Sequence, residues 1–149
     1  MRKRTQAREC ALQILYQIEM NPDSTPLEEV IQAFWEENPE ASEDSRHFAE
    51  VLVRGSLERR AEIDPIIVKA TEHWQIDRMA VIDRSILRFA TYELLYVEDI
   101  PRKVTINEAV DLAKKFSQEE SGKFVNGVLD KINHTEKSRT ATGHEKPLS

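Results

Sequence analysis

The chain predicts an all-α fold of about seven helices in two packed groups, and three observations carry that expectation. Apolar residues recur at i, i+3, i+4 and i+7 along several stretches. No stretch alternates with period two for long enough to make a strand. The composition, 40 % hydrophobic and 32 % charged with only 4 Gly and 6 Pro in 149 residues, suits one soluble helical domain. At that length folding hides roughly 70 % of the unfolded surface, so a sizeable core can form.

The stretch that organises the rest runs from Met79 to Val97, where thirteen of nineteen residues are apolar or aromatic. Ile82, Ile86, Phe89, Ala90 and Val97 form one stripe at helical spacing. Val81, Tyr92, Leu94, Leu95 and Tyr96 widen it to most of the circumference, so this helix is expected to pack on several sides. Asp83, Arg84, Arg88 and Glu93 within it argue against a membrane span.

Taken in order, a first helix is expected from near Thr5 to Met20, with Ala7, Ala11, Ile14, Leu15 and Ile18 inward. Asn21-Pro22-Asp23 reads as a turn, and Thr25-Pro26-Leu27-Glu28 as a capping box that starts the second helix. Its stripe is Leu27, Val30, Ile31, Phe34 and Trp35. Ser42 is read as the cap of a third helix reaching about Arg60, in which Gly55 would let another backbone come close. Asp64-Pro65 is expected to open a fourth helix, and Asp77 to cap the central one. Asp99-Ile100-Pro101 stops that helix. Thr105-Ile106-Asn107-Glu108 reads as a second capping box, followed by a stripe of Ile106, Ala109, Val110, Ala113 and Phe116. Phe124, Val125, Val128, Leu129 and Ile132 make the seventh helix. Residues 1–134 are expected to be a single domain and 135–149 a disordered polar tail.

The net charge of −6 is unevenly placed. Arg2, Lys3, Arg4 and Arg8 oppose only Glu9 in the first nine residues, a net +3. From Glu19 to Glu50 ten acids oppose the single Arg46, a net −9. Cations at a helix N-terminus oppose the helix dipole, so another role must justify them. They either solvate a terminus or bind a polyanion. No apolar run resembles a signal peptide and the lone Cys10 cannot form an internal disulfide, so a cytoplasmic protein without membrane association is expected.

Enzyme chemistry is not indicated. His47, His73, His134 and His144 lack metal-ligand spacing, and there is no Gly-rich phosphate loop or nucleophile elbow. Asp83, Glu93 and Asp111 could be imagined as an acid/base set, but charged helix faces explain them better. No catalytic residue, metal or cofactor is expected.

Three blocks together resemble the NusB family of bacterial transcription antitermination factors. They are Ala7-Arg8-Glu9-Cys10-Ala11-Leu12-Gln13 with Leu15-Tyr16; Val81-Ile82-Asp83-Arg84-Ser85-Ile86-Leu87-Arg88 through Tyr92-Glu93-Leu94; and Pro101 with Val104 to Val110 and Lys123 to Lys131. The last block is the most specific, because an amphipathic helix needs only its apolar positions and not the intervening Asn-Gly and Asp-Lys.

The resemblance implies an all-helical protein that pairs with NusE, a small-subunit ribosomal protein. The pair would bind single-stranded boxA-type RNA of nascent ribosomal RNA transcripts and join the RNA polymerase antitermination complex. On this sequence it implies RNA contacts at Arg2, Lys3, Arg4 and Arg8, and again at Lys123 and Phe124, where an alternative for Phe124 is plain core packing. Thr5 and Gln6 stand where relatives often carry more arginine. Tyr16 and Asp83 resemble the NusE-facing surface, although Tyr16 also reads as a packed aromatic and Asp83 as a partner of Arg84 or Arg88. Some relatives dimerise, so a homodimer is possible. The alternative function is a free-standing RNA-binding module or protein adaptor in ribosomal RNA maturation.

Overall fold

The computed structural model describes residues 3–21, 25–72 and 74–139. Arg2, the Pro22-Asp23 part of the expected turn, His73, His144 and the tail from 140 onward lie outside them. The described residues form seven α-helices: α1 (Lys3–Met20), α2 (Leu27–Glu37), α3 (Glu43–Glu58), α4 (Arg60–Ala70), α5 (Val81–Tyr96), α6 (Arg102–Phe116) and α7 (Glu119–Thr135), with a 3₁₀ turn over Ile76–Arg78.

The central stretch behaves as its composition demands. α5 packs against α1, α3, α4, α6 and α7, and Ile86, Leu87, Ala90, Leu94 and Leu95 are fully buried in it. One group gathers α1, α2 and α3; the other gathers the later helices, with α6 against α7. The expected stripes are the buried ones: Ala7, Ala11 and Ile14 on α1, Ile31, Phe34 and Trp35 on α2, Ala109 and Ala113 on α6, and Val125, Leu129 and Ile132 on α7. At roughly 1.5–3 kcal/mol for each large apolar side chain removed from water, this shared core is the main driving force for the fold.

Helix ends differ from expectation more than helix interiors do. Ser42 caps α3 as read, its Oγ accepting from the Ser45 N–H at 3.1 Å. Pro26, rather than Thr25, occupies the N-cap position of α2. α4 starts at Arg60, so Pro65 lies inside it instead of opening it. Asp77 sits in the 3₁₀ turn, and Ala80 precedes α5 without a side-chain cap. α6 begins at Arg102, a turn earlier than the apparent capping box. Thr105 and Glu108 serve the interior instead: the Thr105 hydroxyl donates to Glu93 at 2.6 Å, and Glu108 accepts from Arg8 at 2.9 Å. Gly55 does admit a close neighbour, but that neighbour is the Tyr92 ring, whose Cζ would lie 2.0 Å from a Cβ there.

The end of α7 is held by a buried cation. Arg102 is 1 % exposed, and its Nη1 donates to the carbonyls of Asn133 and Glu136, both at 3.0 Å. A guanidinium at a helix C-terminus satisfies carbonyls that have no partner within the helix. It also fixes the start of the stretch 136–139, where the Arg139 N–H donates to the Leu95 carbonyl.

Candidate nucleic-acid interface

The N-terminal bases divide into outward and inward groups. Lys3 is exposed beside Asp44 of α3, with Nζ to Oδ2 at 3.3 Å. Arg4 is exposed, its guanidinium carbon 4.1 Å from the centroid of Phe48. Both line a surface groove of about 550 Å³ between the start of α1 and the start of α6, with Ile100, Pro101 and Val104 opposite. Arg8, one turn further on, borders the same groove and the same Phe48 ring, 5.4 Å from its centroid, but is buried. Its side chain is 3 % exposed, pairing with Glu93 through Nε at 2.9 Å and Nη2 at 2.6 Å, and with Glu108 through Nη1. A guanidinium so enclosed directs its donors to two carboxylates inside the bundle, unlike those of Lys3 and Arg4.

Lys123 and Phe124 occupy the first turns of α7. The Lys123 side chain is 75 % exposed, with Nζ 3.8 Å from Glu120. Phe124 is half-buried against the core, and its ring meets Trp74 edge-on with centroids 5.3 Å apart.

The two basic patches do not meet. α1 runs antiparallel to α5, with Arg8 at Glu93 and Glu19 at Arg84, and Ser121 of α7 bonds to Asp83 near the start of α5. Lys123 and Phe124 thus share the end of the bundle that holds the C-terminus of α1. Lys3 and Arg4 hold the other end, at the start of the 18-residue α1.

Tyr16 and Asp83 differ in exposure, and the Tyr16 groove reaches α5 at Ile82, the residue before Asp83. Tyr16 is 41 % exposed and lines a groove of about 270 Å³ with Leu12, Gln13, Gln17, Ile82 and Phe116. Asp83 follows Ile82 but is buried, and its Oδ2 accepts from the Ser121 hydroxyl at 3.1 Å. Neither neighbouring arginine takes it: Arg84 pairs with Glu19 and Arg88 with Asp64. Burial holds the Asp83 carboxyl above the usual carboxylate range, partly offset by the hydroxyls of Ser121 and Ser117. Tyr16 presents the surface here, and Asp83 fixes the start of α7 beside it.

Catalytic features are sparse. Burial, more than the nearby Glu9 and Glu40, pushes the Cys10 thiol up to about 11, as in a core residue. Among the described residues no group of three His, Cys, Asp or Glu side chains could hold a metal ion. No helix among them is long and apolar enough to cross a membrane.

A model of the NusB family matches residues 5–134. The chain belongs to the NusB family. It is 49 % identical over 137 residues to the transcription antitermination protein NusB of Thermodesulfovibrio yellowstonii, covering 87 % of this chain and 91 % of that one. Among solved structures, Thermotoga maritima NusB aligns with a TM-score of 0.81 at 38 % identity, covering 89 % of this chain and 92 % of that one. The structure of the antitermination factors NusB and NusE in complex with double-stranded RNA aligns at 0.81 and 32 % identity, covering 91 % and 99 %. NusB membership accounts for the three sequence blocks, and these fall on α1, α5 and the α6–α7 pair.

Sequence reasoning missed two sets of residues in this NusB-family fold. Glu93 and Glu108 hold Arg8, and only their position on apolar helix faces hinted at burial. Trp74 is 50 % exposed beside Phe124, and its signal was an aromatic outside every apolar stripe.

Proposed function

We propose that this protein is a transcription antitermination factor. In this reading it binds boxA-type RNA of nascent ribosomal RNA transcripts jointly with NusE and supports read-through by RNA polymerase. It acts by binding, in the cytoplasm, and not by catalysis. The observation that carries the reading is the near-complete alignment with the NusB chain of the NusB–NusE–RNA structure. Exposed Lys3 and Arg4 at one end of the bundle and Lys123 with Phe124 at the other supply cationic and aromatic contacts for RNA. The Tyr16 groove supplies the protein contact, and the acidic flank of α2 and α3 favours encounter with a basic ribosomal protein.

The test is fluorescence anisotropy of a labelled boxA-type RNA titrated with this protein, alone and with NusE, across a salt series. The mixture is expected to bind much more tightly than either protein alone. Log affinity should fall by about 0.7 per phosphate contact per decade of salt. If NusE adds nothing and scrambled or duplex RNA binds equally well, the reading gives way to a nonspecific RNA module or a protein adaptor.

A further inference from the structure

We propose that Trp74 and the exposed strip of α7 through Gly127 form a subsite for one unstacked nucleotide of single-stranded RNA. The base stacks on the indole, and the sugar-phosphate lies over the bare backbone at Gly127 between Lys123 and Lys131. The inference rests on the RNA-binding reading above.

Four observations converge on this strip. Trp74 keeps half its surface open while Phe124 braces it edge-on, which leaves an indole face free for a planar partner. The Trp74 backbone is pinned, its N–H donating to the Thr71 hydroxyl at 3.1 Å, so the ring is presented from a fixed turn. Lys123, Gly127 and Lys131 follow at i, i+4 and i+8, one exposed line along α7. Rungs from the turn after α4 reach that helix on either side of Gly127, through Trp74 to Phe124 and through Glu72 to Lys131 at 3.9 Å.

Gly127 is the telling member. Glycine is a poor residue inside a helix, and here packing does not require it: a Cβ would meet nothing within 4 Å. A helix that gives up a side chain between two lysines, three residues beyond the Phe124 that braces the indole, leaves room for a ligand to approach the backbone closely. Glu72 and Glu120 stand against Lys131 and Lys123 in solvent-exposed pairs at 3.9 and 3.8 Å. Such pairs are weakly held, and a phosphate can replace either carboxylate.

The experiment titrates labelled single-stranded boxA-type RNA with the full chain in the presence of NusE, comparing Trp74→Ala, Trp74→Phe and Gly127→Ala, with melting temperature and NusE binding measured alongside. Trp74→Ala is expected to weaken RNA binding about tenfold, the loss of one base–aromatic stack, and Trp74→Phe to restore most of it. Gly127→Ala should raise the melting temperature yet weaken RNA binding several-fold, a pairing that a purely structural role does not produce. NusE binding without RNA should be unchanged in all three. If the unsubstituted chain binds RNA and both Trp74→Ala and Gly127→Ala bind equally well, this subsite is wrong while the functional reading stands. If Trp74→Ala loses NusE instead of RNA, the strip is a protein contact and the proposal falls. A native chain that binds no RNA removes both readings together.

Discussion

Arg8 of α1 and Glu93 of α5 form a two-pronged ion pair sealed inside the bundle, at 2.9 and 2.6 Å, with side chains 3 % and 0 % exposed. Thr105 and Glu108 of α6 complete it, so three helices meet at one buried charge cluster. Desolvating such a pair offsets much of its attraction, so its worth shows mainly when one member is lost. Arg8→Met is expected to cost about 3–5 kcal/mol, because Glu93 is left charged in the interior. Arg8→Met with Glu93→Leu should cost clearly less than Arg8→Met alone. Urea unfolding of the two variants checks this, and a single variant within about 1 kcal/mol of the native chain would contradict it.

Arg102 is the second buried cation with a structural task. Replacing it by Met leaves the carbonyls of Asn133 and Glu136 without its donor at the end of α7. A loss of about 2–4 kcal/mol is expected, in the range for a removed charged hydrogen-bond donor and the groups it strands. Hydrogen exchange should localise the effect, with faster exchange in the last turn of α7 and little change in α1–α3. Uniform protection across α7 in the variant would count against the capping role.

Asp83 makes stability depend on pH with a definite sign. Its folded-state carboxyl lies above the ordinary value near 3.8 because burial disfavours the charge. Between the ordinary value and the raised one, the folded protein holds more proton than the unfolded chain, so Asp83's contribution to stability falls as pH rises through that window. Asp83→Asn removes the buried charge and keeps an oxygen able to accept from Ser121. The variant should be more stable than the native chain at pH 7, with the difference shrinking as pH is lowered toward 4. Thermal melts at several pH values decide it; a difference that grows on acidification would reverse the sign and refute the argument.

What the sequence made legible was whatever recurs with the helical period. The stripe through Ile86 and Ala90 marked α5 as central because burial on several sides must appear as apolar residues around the circumference. Ends were harder. Thr105 and Glu108 have the spacing of a capping box, yet the same spacing puts a hydroxyl and a carboxylate on the α6 face toward Arg8 and Glu93, and local pattern cannot separate the two. Arg8 looked like its neighbours Lys3 and Arg4 because the partner that buries it lies 85 residues away. Tyr16 and Asp83 were placed together by family resemblance alone, and the burial of Asp83 depended on a serine in α7 that no local rule connects to it. Trp74 escaped notice because a loop aromatic belongs to no periodicity.

Glu120 tests the α7 end of the proposed RNA surface without touching the core. It is exposed, one turn before Lys123, and its carboxylate lies 3.8 Å from that ammonium. A phosphate arriving at Lys123 must meet a cation already partly screened by an acid, and it feels the repulsion of the same acid directly. Glu120→Gln removes both effects while preserving side-chain length and the helical backbone. Exposed charges interact through a high dielectric, so the expected gain is modest: about a twofold to fivefold tightening of RNA at low salt. It should fade as ionic strength rises and the Debye length contracts to about 8 Å at 0.15 M. The salt dependence distinguishes this from a change in fold, which would persist at high salt. Anisotropy titrations of boxA-type RNA at two ionic strengths provide the check. Unchanged or weaker affinity at low salt would remove Lys123 from the RNA path.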